Sequence, residues 1–145
     1  MAPMLSFMCP GFEVAGVLTA RISLPSAEAE GWEEASGFFH QLRERMSEQP
    51  GVEAVGFAQR APLSGGLSFV TIDVEDHPRG PEEMPVFSSQ MLAGEGYFEA
   101  SGIQLLQGRT FQPGDGATGT RAAVVSESFA LHWWPESNPL GRRWG

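Results

Sequence analysis

The sequence predicts an α+β fold: a mixed β-sheet with one long helix and two short helices packed on it. Three observations carry that prediction. Several short runs alternate apolar and polar residues with the period of a strand, whereas one longer segment repeats its apolar residues at helical spacing. Eleven prolines and eighteen glycines cut the chain into short elements joined by turns. The order then runs strand, helix, strand, strand, strand, short helix, strand, short helix, with no internal repeat. A chain of 145 residues, 41% of them hydrophobic, is long enough for one domain with its own core.

Residues 1–13 have no period and two prolines interrupt them, so 1–10 (MAPMLSFMCP) are expected to be poorly ordered. The run 14–24 (VAGVLTARISL) alternates, with Val17, Thr19, Arg21 and Ser23 facing one way and Leu18, Ala20, Ile22 and Leu24 the other. It reads as a half-buried strand that Pro25 ends. Residues 26–49 hold the main helix. Trp32, Ala35, Phe39, Leu42 and Met46 make one apolar face. Glu28, Glu30, Glu33 and Glu34 crowd its start and Arg43 and Arg45 its end, as the helix dipole favours. Gly37 inside it costs about 1 kcal/mol against alanine, which predicts close packing there. Pro50 and Gly51 stop the helix. Residues 52–60 (VEAVGFAQR) and 67–75 (LSFVTIDVE) are the next strands, joined by the loop 61–66 (APLSGG). In the second of them Phe69, Thr71 and Asp73 lie opposite in face to Val70, Ile72 and Val74. The stretch 76–85 (DHPRGPEEMP) is a polar, proline-rich connection, expected to be exposed and mobile.

The rest of the chain is organised around 86–111 (VFSSQMLAGEGYFEASGIQLLQGRTF). Val86, Ser88, Gln90 and Leu92 share one face of a strand, and Phe87, Ser89, Met91 and Ala93 the other. Gly94 and Gly96 break it. Tyr97, Phe98 and Ala100 start a short helix that Gly102 stops as its C′ residue. Ile103, Leu105 and Leu106 return to the core, and Gly108 with Arg109 closes the unit. A glycine-rich loop follows at 112–120, then a short strand at 121–126 (RAAVVS). Two helical turns at 127–134 take Ser126 as N-cap and Pro135 as stop. Residues 138–145 (NPLGRRWG) read as a turn entering another strand. Because the chain ends there, the sequence is expected to be cut or incomplete.

The net charge is −9, and all nine basic residues are arginine. Nucleic-acid binding is excluded on that ground, since a phosphate-binding face needs a basic patch. Docking on anionic lipid through a polybasic segment is excluded likewise. Cys9 is the one cysteine, so no internal disulfide forms, and no Cys/His group has zinc spacing. His40, His77 and His132 are far apart in sequence and read as solvent-facing or edge histidines. No stretch approaches the roughly 18 apolar residues that span a bilayer, and 1–10 is too short, with no basic start, for a signal peptide.

The remaining candidates for chemistry each read more simply as structure. GDGATG at 114–119 matches G-x-G-x-x-G, but a strand follows the glycines where a dinucleotide site needs a helix. Ser64-Gly65-Gly66 is neither a nucleophile elbow nor partnered by a base. Glu33-Glu34 and Glu82-Glu83 sit in a helix start and a polar loop, not flanking a cleft. Of Trp133 and Trp134, one is expected in the core and the other over a sheet edge. Arg109 is expected to pair with a buried carboxylate or cap backbone carbonyls, because no second basic residue converges on it. Catalytic, cofactor-binding and metal-ligating residues are therefore all expected to be none, with no cofactor.

Four blocks in order carry a family resemblance. They are GVLTARISLP at 16–25, FFHQLRERMSEQPGVEAVGFAQRAPLSGG at 38–66, GYFEASGIQLLQGRTFQPGD at 96–115 and AAVVSESFALHWWPESNPLGRRW at 122–144. The sequence resembles the MacB-like periplasmic core domain of FtsX-like ABC transporter permeases, closest to the duplicated orphan permeases of acidobacteria. The likeness covers about 11–145, and the third block, with its aromatic pair, glycine, apolar run and GR-x-F, is its most recognisable segment. The resemblance implies a partial MacB-like core over 11–145, on the periplasmic side of a bacterial inner membrane. It implies partners: permease membrane helices absent from this chain, a separate cytoplasmic ABC ATPase, and a periplasmic adaptor or substrate. It implies a mechanical part of an efflux or export machine, not an enzyme, in which Arg109 and the stretch around it determine the fold. The alternative reading is a stand-alone α+β module that binds a small ligand or peptide.

Overall fold

The computed structural model describes residues 11–13, 15–23, 32–61, 64, 66, 68–115 and 121–145. Its elements are α1 (Trp32–Ser47), β1 (Ser68–Ile72), β2 (Val86–Gln90), α2 (Tyr97–Ala100) and α3 (Glu127–Trp133), an α+β set. The period-2 runs at 68–72 and 86–90 pair antiparallel, with Ser68 opposite Gln90, Val70 opposite Ser88 and Ile72 opposite Val86. Residues opposite one another share a face. Val70, Ile72, Val86 and Ser88 therefore look one way, and Phe69, Thr71, Phe87 and Ser89 look the other.

The first of these faces is the covered one. Ile72 is only 2% exposed, and Val74, two residues on and on the same face, is buried with it. α3 lies over this side. Ser126 caps it, its Oγ accepting from the Phe129 amide at 3.2 Å. The ring of Phe129 then sits 6.1 Å from that of Trp134 and 6.2 Å from that of Trp144. Trp144 arrives there because residues 143–145 run antiparallel to 73–75, just past the end of β1. The Asp73 amide donates to the Gly145 carbonyl at 2.7 Å and the Gly145 amide donates back at 3.0 Å. The opposite sheet face is open: Phe69 and Phe87 are 61% and 63% exposed.

A second cluster forms away from the sheet. The apolar stripe of α1 puts Phe39 5.0 Å from Phe57, and Val55 and Tyr97 are buried beside it. Residues 57–59 also meet the continuation of β2. Ala58 bridges Ala93, flanked by Gln59 donating to the Leu92 carbonyl and Gly94 to the Phe57 carbonyl, each at 2.8 Å.

Several expectations are corrected. Every described strand pair is antiparallel, so the sheet is not mixed. Within 14–24, residues 15–23 are extended but join no ladder among the described residues, and Leu18 is 93% exposed. Residues 121–126 likewise join none, and 52–60 make only the Ala58 bridge. Alternation sets which way side chains point, but a strand exists only where a neighbour takes its N–H and C=O groups. The long helix sets Phe39 of its apolar face against Phe57. A Cβ built on Gly37 meets nothing within 4 Å among the described residues, so that glycine serves no close packing there. The expected helix start at 26–31 and the segment 1–10 lie outside the described residues.

Candidate functional site

The stretch from β2 to Phe111 is held by three local devices. The first is a crossing of backbones at glycine. Gly96 precedes α2 with φ +71°, and its Cβ position is filled by the Val55 carbonyl oxygen. On the facing segment, a Cβ on Gly56 would fall 2.5 Å from the Tyr97 Cα. Only glycine lets two main chains approach this closely. Arg43, from the last half of α1, pins the crossing. Its Nε donates to the Val55 carbonyl at 3.3 Å and its other guanidinium nitrogen to Glu95 Oε2 at 3.1 Å.

The second device is the end of α2. Gly102 has φ +63°; its amide donates to the Glu99 carbonyl at 3.2 Å and the Ile103 amide to the Phe98 carbonyl at 2.9 Å. That is the paired hydrogen-bond pattern of a left-handed glycine cap, as the sequence predicts at Gly102. Just past α2, the Ser101 carbonyl takes the Glu13 amide at 2.7 Å, tying the described N-terminal segment to the same point.

The third device is a loop closed by Arg109. The guanidinium grips Asp115 with two parallel hydrogen bonds, 2.6 and 2.9 Å, and donates to the Thr110 carbonyl at 3.0 Å. Asp115 also accepts from the Gln112 amide at 2.9 Å. The two-pronged geometry suits a planar guanidinium and a carboxylate. The Arg109 hydrogen bonds, helped by the Gln112 amide, lower the Asp115 carboxyl to about 2. Arg109 thus pairs with a carboxylate as foreseen, but one that is half-buried and not buried, and the carbonyl it takes is that of the next residue, Thr110. Its partner Asp115, and the Arg43–Glu95 link, were not singled out in the sequence. An acidic residue six positions past an arginine in a glycine-punctuated loop was the one available signal.

A concavity lies between β2 and α3. It is an open groove of about 450 Å³ with Ile72, Val86 and Phe87 on one wall and Phe129, His132 and Trp133 on the other. Ser126 and Ser128 at its end are 3.0 Å apart, and the Ser126 hydroxyl already caps α3. No base faces either serine there at hydrogen-bond distance among the described residues.

The other sequence candidates are dispersed. Ser64 Oγ donates to the Ala61 carbonyl at 2.7 Å, holding a turn. His40 pairs with Glu44 on the exposed side of α1, His77 Nε2 meets the Trp133 carbonyl at 2.8 Å, and His132 is exposed. Trp134 is buried, as expected of one of the pair, while the Trp133 ring lies tilted 5.5 Å from that of His77 and lines the groove wall. The Trp134 indole N–H meets no acceptor among the described residues. Glu82 and Glu83 are exposed, and Glu83 accepts from the Gly80 amide. The side chains of Glu33 and Glu34, residues 116–119 of the glycine loop, and Cys9 lie outside what is described. Among the described residues, no three His, Cys, Asp or Glu are grouped to hold a metal ion, and no helix is long and apolar enough to cross a membrane.

Comparison of the chain with protein-family models, with curated proteins and with solved structures finds no match.

Proposed function

We propose that this chain is part of the extracytoplasmic domain of an ABC transporter permease of the MacB-like, FtsX-like kind. It has no catalysis of its own and couples ATP-driven motion to export or efflux. The ATPase is a separate cytoplasmic subunit, and the membrane helices that carry the motion belong to the full permease on the periplasmic side of the inner membrane. One observation carries the reading. The most recognisable block of the resemblance, 96–115, is spent on joints: the Gly96 crossing, the Gly102 cap and the Arg109–Asp115 clasp. Residues fixed by such joints suit a part that transmits force as a unit, and none of them is presented to a reacting cleft.

The groove of about 450 Å³ beside α3 favours the second reading, a stand-alone module for a small ligand or peptide, because its walls carry Phe87, Phe129 and Trp133. One experiment separates the two. Antibody raised against this chain is used on fractionated source cells and on spheroplasts treated with protease. The permease reading expects the epitope in the membrane fraction, on a polypeptide larger than 15.7 kDa, and digested from outside. A free 15.7 kDa product in the soluble fraction overturns it.

A further inference from the structure

The groove between β2 and α3 is apolar inside and acidic around. Ile72 and Val86 stand on its sheet side, Phe129 and Trp133 on its helix side, and Ser126 and Ser128 at its end. The rings of Phe129 and Trp133 have centroids 6.3 Å apart and are inclined at 49°, so they form a corner and not a stack. His132 packs edge-on against Trp133 at 5.0 Å. Among the described residues, no carboxylate and no guanidinium lines the groove. The segments that carry β2 and α3 are nonetheless acidic. Residues 80–108 and 122–141 hold Glu82, Glu83, Glu95, Glu99, Glu127 and Glu136, and none of the nine arginines. Glu127 is exposed and lies in sequence between the two serines of the groove's end.

We propose that this groove binds a small quaternary ammonium compound, of which choline is the simplest probe. The faces of aromatic rings carry the negative end of their quadrupole and attract a cation placed over them. The surrounding carboxylates add to that attraction and repel anions. The lack of a lining carboxylate then selects among cations. A primary ammonium brings three N–H donors, each needing an acceptor. The serine hydroxyls are poorly placed to serve them, because Ser126 already accepts from the Phe129 amide and meets Ser128 at 3.0 Å. A quaternary ammonium has no donor. Its methyl groups rest on the Phe129 and Trp133 rings and on Ile72 and Val86 without leaving a polar group unpaired. The volume of about 450 Å³ leaves room for an alkyl or aryl substituent on the nitrogen. The proposal gives a ligand class to the groove of the second reading and rests on that groove. A permease domain can carry the same site, so cell fractionation and ligand binding fail separately.

The test titrates the full chain with choline and with its uncharged isostere dimethylbutanol, in which a tert-butyl group replaces trimethylammonium. Binding is read by NMR at the Trp133 indole, the Phe129 ring and the Ile72 methyl groups. Choline should shift all three along one saturating curve and bind about tenfold tighter than the isostere. Trp133→Leu keeps an apolar wall without the ring and should erase that preference. Ser128→Arg sets a fixed positive charge at the exposed end of the groove. It should weaken choline about tenfold and leave the isostere unchanged. Signals of Phe39 and Tyr97, which lie in the other cluster, report whether each variant is folded, and either variant alone suffices. The proposal is overturned if choline moves none of the three groove signals, which is also the result if another segment of the chain fills the groove. It is overturned equally if the isostere binds as tightly, since the groove is then merely apolar, or if choline binds a folded Ser128→Arg chain as before.

Discussion

Substituting Gly96 by alanine should be the most damaging one-carbon change in the described chain. Three costs add at that site. A non-glycine residue at φ +71° costs about 1–2 kcal/mol. The new Cβ overlaps the Val55 carbonyl oxygen and lies 3.1 Å from both the Val55 carbonyl carbon and Arg43 Nε. Forcing the two main chains apart is an overpacking strain of about 1–3 kcal/mol. The Arg43 hydrogen bond to the Val55 carbonyl is lost, a further cost of about 0.5–1 kcal/mol for a side chain that is partly exposed. The total is about 2.5–6 kcal/mol, against a whole-domain stability of roughly 5–15 kcal/mol. Gly141→Ala is the matched control, because Gly141 has φ +77° and nothing within 4 Å of its Cβ position. It should cost only the conformational share, about 1–2 kcal/mol. Urea unfolding followed by tryptophan fluorescence reads both, so the difference of about 1.5–4 kcal/mol isolates the close approach. Equal costs, to within about 0.5 kcal/mol, would refute the backbone crossing at Gly56 and Gly96.

Three further outcomes are expected. Gly37→Ala should stabilise the chain by about 1 kcal/mol, measured as a raised urea midpoint, because the added methyl meets open space on α1. Ser126→Ala should lower stability by about 1 kcal/mol through loss of the α3 cap, and Ser126→Asp should restore most of it. Asp115 has a folded pKa depressed to about 2. Its unfolded value is that of an ordinary carboxylate, about 4. The sign follows from linkage: its contribution is fully present above about pH 4 and is lost as the pH falls through about 2. Urea midpoints taken down to pH 2 should show that loss, and Asp115→Asn should flatten the same part of the profile.

Much of the fold was legible because faces and punctuation are local. The alternation at 68–74 and 86–90 sorted the residues into two faces, and Ile72 and Val74 do share one side while Phe69 and Phe87 lie exposed on the other; which of the two is covered the pattern did not say. Ser126 and Gly102 announced their caps by residue type alone, since each role needs a specific side chain or its absence. Pairing was not legible. Residues 15–23 and 121–126 alternate as well as β1 does, yet join no ladder among the described residues. The clasp at Arg109 was half legible: the arginine stood out and its carboxylate did not, because their meeting depends on a loop path that no periodicity reports. The role of Gly56 was hidden for a similar reason, since its partner Gly96 is forty residues away and only the fold brings them together.

These limits have one physical root, and it bears on what the domain can do. Side-chain alternation fixes a strand's two faces, but its two edges carry identical backbone groups whatever the sequence. Edges are therefore assigned by whatever segment happens to reach them. In this chain the covered face of the sheet is closed by α3, Trp134 and Trp144, so its side-chain chemistry is already committed. A partner on the covered face must therefore displace α3 or enter the groove beside Phe129 and Trp133.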